Sequence, residues 1–196
     1  RGEDRFLPHC LGPEGSGTVV AAGPGGAKVR AGDRVVLSWI RGSGAEVGGT
    51  EYHWDGRIVH AGGITTFGRH AVVSENRVTP LPEGLDMREA ALLGCAVATG
   101  VGAVVNTARP RPGQSLAVFG AGGVGLCAIA GAAVAGCHPL IALDVRPERL
   151  ELARRLGATH VIRVGDGDPV KAVLAVCPGG VDFAVEEQGE AECTGV

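Results

Sequence analysis

The sequence has 196 residues, of which 45% are hydrophobic, and a formal net charge of −3 at pH 7. This composition is typical of a globular protein, and without a basic surplus it argues against nucleic acid as a partner and against electrostatic attachment to a membrane. We also find no apolar stretch long enough to span a bilayer and no signal-peptide pattern at the start of the sequence.

The cysteines are scattered and form no C-x-x-C pair, which indicates reduced thiols rather than a disulfide framework. They are Cys10, Cys95, Cys127, Cys137, Cys177 and Cys193. We therefore predict a cytoplasmic protein. Because the sequence begins at Arg1 without a methionine and ends shortly after a strand-like run, we expect it to be a fragment of a longer protein.

The first half of the sequence has mainly β patterning. The run at 17–22 predicts a strand followed by a glycine-rich turn, and the segment 29–37 predicts a turn at Gly32 and Asp33 that leads into a second strand. The β pattern resumes at 69–73 and 77–79. Residues 41–63 have the composition of a loop. These features predict a small, mostly antiparallel β domain.

Helical signals begin at Asp86, which is a suitable N-cap for a helix over 87–93, and a second helix is predicted over 97–107. From Ser115 onward strands and helices alternate. The strands are predicted at 115–119, 140–143, 161–162 and 181–185, and the helices at 123–135, 147–156 and 169–176. This alternation predicts a four-stranded parallel sheet with right-handed crossovers.

A glycine-rich motif, G-A-G-G-V-G, begins at Gly120, where it closes a predicted strand and opens a predicted helix. Gly120 allows a tight turn, Gly122 lets the backbone approach a pyrophosphate, and Gly125 allows close packing of helix on strand. The helix N-terminus, which includes Gly123 and Val124, offers N–H groups and a positive dipole end to phosphate. The motif predicts dinucleotide binding; the alternative is a strand–helix turn that binds nothing.

An acidic residue, Asp144, ends the next predicted strand, 19 positions after Gly125. At this spacing a carboxylate accepts hydrogen bonds from the adenosine ribose hydroxyls, and it repels a 2′-phosphate. The pattern therefore favours NAD over NADP. Arg146 and Arg149 lie nearby; we assign Arg149 to the cofactor site, although it is also compatible with a solvent-facing helical position. FAD is less suitable, because FAD domains usually carry this motif near the N-terminus.

Four further segments carry a family resemblance, and they occur in the family's order over nearly the whole chain. They are L-G-P-E-G-S-G from Leu11, G-D-R-V from Gly32, A-L-L-G-C-A-V-A-T-G from Ala91 and L-G-A-T-H from Leu156. With the glycine motif, they resemble the zinc-type alcohol dehydrogenase branch of the medium-chain dehydrogenase/reductase family.

The resemblance implies an α/β fold with two domains. An incomplete GroES-like β domain without a structural-zinc lobe is expected over residues 1–96. The first part of a doubly wound parallel Rossmann sheet, with about four strands, is expected over 97–196. The implied activity is hydride transfer between NAD and a small-molecule alcohol or aldehyde. The family forms homo-oligomers, but the assembly state of this chain stays open.

The family's catalytic zinc is held by an N-terminal cysteine, the histidine of a G-H-E motif and a cysteine of the segment joining the domains. Here Cys95 matches the last ligand, Pro13 replaces the histidine, and the first cysteine would precede Arg1. One ligand of three does not make a zinc site. A substitute site using His9 and Cys10 is disfavoured.

Two further residues are carried over from the family as catalytic candidates. Glu14 matches an acidic residue close to the zinc, and Thr99 matches a residue that lines the nicotinamide pocket; the alternatives are an exposed charge and an ordinary threonine near a helix N-terminus. The segment between Ser38 and Gly62 has no cysteine for a structural zinc, and we interpret its histidines, His53 and His60, as solvated.

Two other functions remain open. Besides the NAD-dependent dehydrogenase, the first alternative is a degenerate family member that retains at most nucleotide binding, which Pro13 favours. A zinc-free reductase related to quinone reductases is the third possibility, but such enzymes usually prefer NADPH, whereas Asp144 favours NAD. The substrate is not identified by the sequence.

Overall fold

The computed structural model describes residues 7–187, which divide into two compact units with the boundary between Cys95 and Ala96. Cys193 lies outside the described residues. The other five cysteines are free thiols, as their spacing predicts.

The first unit is built mainly of antiparallel strands. In chain order its elements are β1 (Glu14–Thr18), β2 (Arg34–Ser38), β3 (Glu51–Trp54), β4 (Arg57–His60), a 3-10 turn (Glu75–Arg77), β5 (Val78–Pro80), α1 (Met87–Ala91) and a second 3-10 turn (Leu92–Gly94). β2 pairs with both β1 and β5, and β3 pairs with β4 in a separate hairpin. The predicted antiparallel character of this half is confirmed.

The hairpin corrects the prediction that residues 41–63 form a loop. Its turn consists of Asp55 (φ 48°) and Gly56 (φ 73°), both in the left-handed region. Asp-Gly is a strong signal for a two-residue hairpin turn when β-prone residues flank it. Tyr52 and Ile58 are such residues, so the sequence held a signal that the overall composition of the segment obscured.

The predicted strand at 69–73 is wrong, and the first strand lies earlier in the chain than the predicted run at 17–22. Residues 69–73 are irregular, because side chains rather than a neighbouring strand bind their backbone: the Val72 N–H donates to the Tyr52 hydroxyl (2.9 Å), and the Val72 carbonyl accepts from Thr50 Oγ1 (2.9 Å). β1 begins at Glu14 and ends at Thr18, before most of the predicted run, whereas β2 begins at Arg34, directly after the predicted turn at Gly32 and Asp33.

The second unit alternates helices and strands. Its elements are α2 (Ala96–Gly102), which continues as a π-helix (Ala103–Ala108), β6 (Leu116–Phe119), α3 (Gly123–Val134), β7 (Leu140–Asp144), α4 (Pro147–Arg155), β8 (His160–Arg163), α5 (Pro169–Val176) and β9 (Phe183–Glu186). All strand pairs are parallel and their order is β8-β7-β6-β9. The predicted four-stranded parallel sheet is confirmed.

Both faces of this sheet are covered, because successive side chains of the two central strands point to opposite faces. One cluster contains Leu116, Val118, Leu140 and Ala142 with residues of α3 and α4. The other contains Ala117, Phe119, Ile141 and Leu143 with Val173 of α5. Continuous apolar strands of this kind are typical of parallel sheets with helices on both sides.

Among residues 7–187, no single helix has the length and apolar composition of a membrane span. The helical segments Met87–Gly94 and Ala96–Ala108 pass that test only when they are taken together as a bent pair.

Asp182 joins the beginnings of β6 and β9. Its Oδ2 accepts hydrogen bonds from the Ser115 N–H (2.7 Å) and the Ser115 hydroxyl (2.6 Å), and its own N–H donates to Ser115 Oγ (2.8 Å). These bonds from Ser115 hold the pKa of the Asp182 carboxyl below its ordinary value. The pair thereby stabilises the edge strand β9 in its register on β6.

This pairing predicts a pH-dependent contribution to stability. A lowered pKa in the folded state stabilises the protein above the carboxyl's unfolded pKa, and this stabilisation is lost as the pH falls through the lowered, folded pKa. In urea unfolding, Asp182→Asn should therefore be less stable than the parent at pH 6, and the difference should shrink as the pH is lowered toward 3. A difference that is independent of pH would contradict this role.

Candidate nucleotide site and the positions of the predicted zinc ligands

The glycine motif forms a turn that only glycine can occupy at two of its positions. Gly120 follows β6 with φ +96°, in the left-handed region. A Cβ on Gly125 would lie 1.8 Å from the Gly120 carbonyl oxygen, so the first turn of α3 is in direct contact with the end of β6. The close packing that the sequence predicts for Gly125 is present.

The middle of the motif is open. Gly122 is the N-cap of α3 with an ordinary φ of −76°, and no heavy atom of a non-neighbouring residue lies within 4 Å of where its Cβ would be. Gly123 is exposed and Val124 is half-buried. The N–H groups of the first helical turn have no acceptor within the helix, so this end of α3 offers donors beside an unobstructed backbone.

Asp144 is the last residue of β7, and its side chain is 1% exposed. Its Oδ2 accepts from the Ala121 N–H of the glycine turn (2.8 Å), and its Oδ1 accepts from the Arg146 N–H (2.8 Å). Arg149 Nη1 lies 3.5 Å from Oδ2, and the Arg149 side chain is 41% exposed. The carboxylate is therefore tied to the glycine turn. The bond between Asp144 and Ala121 was not predicted from the sequence, which predicts only a contact of Asp144 with the ribose.

The sheet order creates a crevice at the same end. β7 lies on one side of β6 and β9 on the other. The connection after β6 therefore runs to one side of the sheet, and the chain later returns to the other side of β6. In such sheets ligands bind beyond the carboxyl ends of the strands at this switch point. Glu187 follows β9 there and donates its N–H to the Phe119 carbonyl (3.1 Å), and burial, together with the neighbouring Glu186 charge, raises the pKa of its carboxyl. Glu187 was not among the site residues predicted from the sequence.

Thr99 is the fourth residue of α2, and it is exposed. The next residue, Gly100, is buried against α3: a Cβ there would lie 2.2 Å from the Val124 carbonyl oxygen and 2.7 Å from the Ala128 N. α2 therefore packs directly on the first turns of the helix that follows the glycine motif. This function of Gly100 was not predicted from the sequence.

In the first unit, Glu14 and Cys95 lie close together. Glu14 Oε2 accepts a hydrogen bond from the Cys95 N–H (2.9 Å). Gly94 makes this approach possible, since a Cβ there would lie 2.8 Å from the Glu14 Cβ and 2.2 Å from the Leu37 carbonyl oxygen. Pro13 is exposed and precedes β1. Two residues that align with the family's zinc region thus meet through a hydrogen bond from a backbone N–H to a side-chain carboxylate.

Comparison with known proteins identifies the family. The profile of the alcohol dehydrogenase GroES-like domain matches residues 2–83, and that of the zinc-binding dehydrogenases matches residues 123–194. The chain belongs to the zinc-type alcohol dehydrogenase family. The resemblance and the fold class predicted from the sequence are confirmed.

Individual members of the family are identical to this chain at about a third of the aligned residues. The chain is 34% identical to alcohol dehydrogenase 6 of Rattus norvegicus, over 97% of this chain and 58% of that protein. It is 35% identical to S-(hydroxymethyl)glutathione dehydrogenase of Synechocystis, over 95% and 58% respectively. The crystal structure of benzyl alcohol dehydrogenase from Acinetobacter calcoaceticus superposes with a TM-score of 0.81 at 34% identity, covering 95% of this chain and 57% of that one. The chain therefore spans somewhat more than half the length of these relatives.

The residues described do not fit the family's catalytic zinc. Zinc requires at least three protein ligands from Cys, His, Asp or Glu, and within residues 7–187 no three such side chains are grouped to hold a metal ion. Pro13 stands where the family has a ligand histidine, and its side chain has no atom that can bind a metal. One carboxylate oxygen of Glu14 accepts a hydrogen bond from the Cys95 N–H. The substitute site at His9 and Cys10 also fails this test. We derive no chemical step through zinc.

The Glu14–Cys95 bond predicts a structural function for Glu14. Glu14→Ala removes a charged acceptor and should lower the free energy of unfolding by about 1–2 kcal/mol. Glu14→Gln retains an oxygen acceptor and should lose less than half of that amount. Urea denaturation measures both, with the exposed Glu83→Ala as the matched control. Equal losses for the alanine and glutamine variants would contradict the assignment.

Proposed function

We propose that the chain is part of a cytoplasmic, NAD-dependent alcohol dehydrogenase that exchanges hydride between NAD and a small alcohol or aldehyde. The observation that carries the proposal is the joining of the glycine turn to Asp144 through the Ala121 N–H, at the carboxyl ends of β6 and β7. Family membership supports the reaction class. The substrates in the relatives' names, benzyl alcohol and S-(hydroxymethyl)glutathione, are the first compounds to test.

The residues of the second unit fit the adenosine diphosphate part of NAD. Gly122 leaves room for a pyrophosphate beside the helix N-terminus, where the N–H groups of Gly123, Val124 and Gly125 would bind phosphate oxygens. Asp144 would accept from the ribose hydroxyls with its remaining lone pairs, and Arg149 would orient it. When bound, NAD supplies a hydride acceptor at its nicotinamide ring.

Two assignments are part of the same proposal. Thr99 would contact the nicotinamide side of the cofactor, which suits its exposed position on α2. Glu14, which was predicted as a catalytic candidate, would instead hold the backbone at Cys95 through its bond to that N–H. Cys95 is not proposed as a working zinc ligand, because the described residues do not supply its partners.

The experiment is a titration of the purified chain with NADH and with NADPH, followed by the fluorescence of the cofactor. We expect saturable binding of NADH and at least about tenfold weaker binding of NADPH, a difference of about 1.4 kcal/mol. Reduction of NAD with benzyl alcohol then tests turnover. Absence of saturable NADH binding would overturn the proposal.

A second candidate is a nucleotide-binding family member without alcohol turnover. Pro13 in the position of a ligand histidine favours it, because the family's means of stabilising an alkoxide is then lost. The same titration separates the candidates: NADH binding without NAD reduction by any alcohol tested supports the binding protein.

A further inference from the structure

Glu187 lies at the carboxyl edge of the parallel sheet, on the opposite side of β6 from Asp144. Its N–H donates to the Phe119 carbonyl (3.1 Å), and the N–H of the following residue, Gly120, donates to the Leu143 carbonyl (2.8 Å). The end of β7, the glycine turn and Glu187 therefore form one continuous row across the crevice. An acidic residue lies on each side of the glycine turn.

A ligand in the crevice can reach Glu187, because this residue is exposed. Its backbone bond to β6 continues the ladder of β9, and alternate residues of a strand share one face of the sheet. Phe183 and Val185 pack in the cluster that includes Ala128 and Ile129 of α3. Glu187, two positions after Val185, therefore belongs to the same face, which is the face where the first turn of α3 offers its N–H groups.

The charge of Glu187 is less balanced than that of Asp144. Partial burial and the neighbouring Glu186 charge raise the pKa of the Glu187 carboxyl, and no basic residue among residues 7–187 opposes these two effects. β6 and α3, which pack against β9, contain no charged residue. Asp144, by contrast, has Arg149 Nη1 at 3.5 Å from its Oδ2. In the described part of the chain, the β9 side of the crevice is thus the more negative one.

The proposed NAD site determines which half of the cofactor would lie near Glu187. The adenosine ribose is assigned to Asp144 on the β7 side, and the pyrophosphate to the first turn of α3. Because a dinucleotide lies across the crevice at the switch point, its nicotinamide half would extend toward β9. The nicotinamide ring is positively charged in NAD and neutral in NADH. A carboxylate on this side therefore attracts the ring of the oxidised cofactor but not that of the reduced one.

We propose that Glu187 is a specificity-determining residue that raises the affinity of the site for NAD relative to NADH. The inference rests on the proposed function, since it requires the cofactor to bind at the glycine turn. One charge in a partly hydrated crevice changes the affinity for a second charge by about three- to tenfold. The attraction is lost once the ring has accepted hydride, so Glu187 favours release of NADH and thereby the direction of alcohol oxidation.

The test is the dissociation constant of NADH divided by that of NAD, measured for each variant by calorimetry at pH 8, where the carboxyl is ionised despite its raised pKa. Glu187→Gln removes the charge at nearly constant shape and should lower this ratio about three- to tenfold. Glu187→Asp retains the charge and should keep most of the parent's ratio. Glu151→Gln, on α4 with a side chain that is 65% exposed, is the matched control and should leave the ratio unchanged.

ADP-ribose, which lacks the nicotinamide ring, separates this effect from repulsion of the pyrophosphate. A gain in ADP-ribose affinity with an unchanged ratio in Glu187→Gln would mean that the carboxylate acts on the phosphates, and it would overturn the inference. An unchanged ratio with unchanged ADP-ribose binding would also overturn it, and both results leave the proposed NAD site intact. If the parent binds none of ADP-ribose, NAD and NADH, the proposed function fails and this inference fails with it. Misfolded protein lowers all apparent affinities equally and cancels in the ratio.

Discussion

Gly125→Ala is expected to disrupt both the second unit and its binding of NADH. The new methyl carbon would lie 1.8 Å from the Gly120 carbonyl oxygen. The oxygen belongs to the backbone, and the methyl carbon is bonded directly to the backbone, so neither can rotate away. Overpacking in a well-ordered core costs about 1–3 kcal/mol, and contact with rigid backbone belongs at or above the upper end of that range. Thermal unfolding should show a strong loss of stability, and NADH titration a loss of saturable binding.

Gly122→Ala is the matched control, because it adds the same methyl group three positions earlier in the same turn. No non-neighbouring heavy atom lies within 4 Å of that position, and φ is −76°. This variant should lose much less thermal stability than Gly125→Ala, only the small cost of alanine at an N-cap. It should still weaken NADH binding, since the methyl group occupies the space proposed for the pyrophosphate. Unchanged binding in Gly122→Ala would place the phosphates elsewhere, and equal stability of the two variants would contradict the packing argument.

The second unit was predictable from the sequence because its signals are local. Pro147 is the first residue of α4, and Asp168 is the N-cap of α5. Each of them favours the start of its helix through interactions within the first helical turn. The Gly120 turn is equally local, since it needs a positive φ. The bond from Ala121 to Asp144 was not predictable, because it joins the glycine turn to the end of β7 through a carboxylate rotamer that the sequence does not encode.

The first unit was harder to predict for the same reason. Residues 69–73 have β-prone composition, but side chains of Thr50 and Tyr52 bind Val72 and take the place of a strand partner. The buried position of Arg77 is also a long-range result, because an isolated arginine in a sequence is normally expected at the surface. Pro13, by contrast, excludes a zinc ligand at its position from the sequence alone.

The cofactor preference should depend on Asp144. In Asp144→Asn one of the two backbone N–H groups, from Ala121 or Arg146, faces an amide NH₂ instead of an oxygen, which costs about 1–3 kcal/mol of stability. The charge that would repel a 2′-phosphate is also removed, while Arg149 remains nearby. We expect NADH affinity to fall about tenfold and the ratio of NADH to NADPH affinity to fall by more than that, as NADPH binding improves.

The affinity ratio is the decisive measurement, because any loss of folded protein lowers both apparent affinities equally and cancels. Asp166→Asn is the control, since it removes a carboxylate from the same unit whose side chain is 67% exposed; its ratio should equal the parent's. If Asp144→Asn still binds NADH with an unchanged ratio, the carboxylate serves only to hold the Ala121 and Arg146 N–H groups. The preference for NAD would then need another origin in the site.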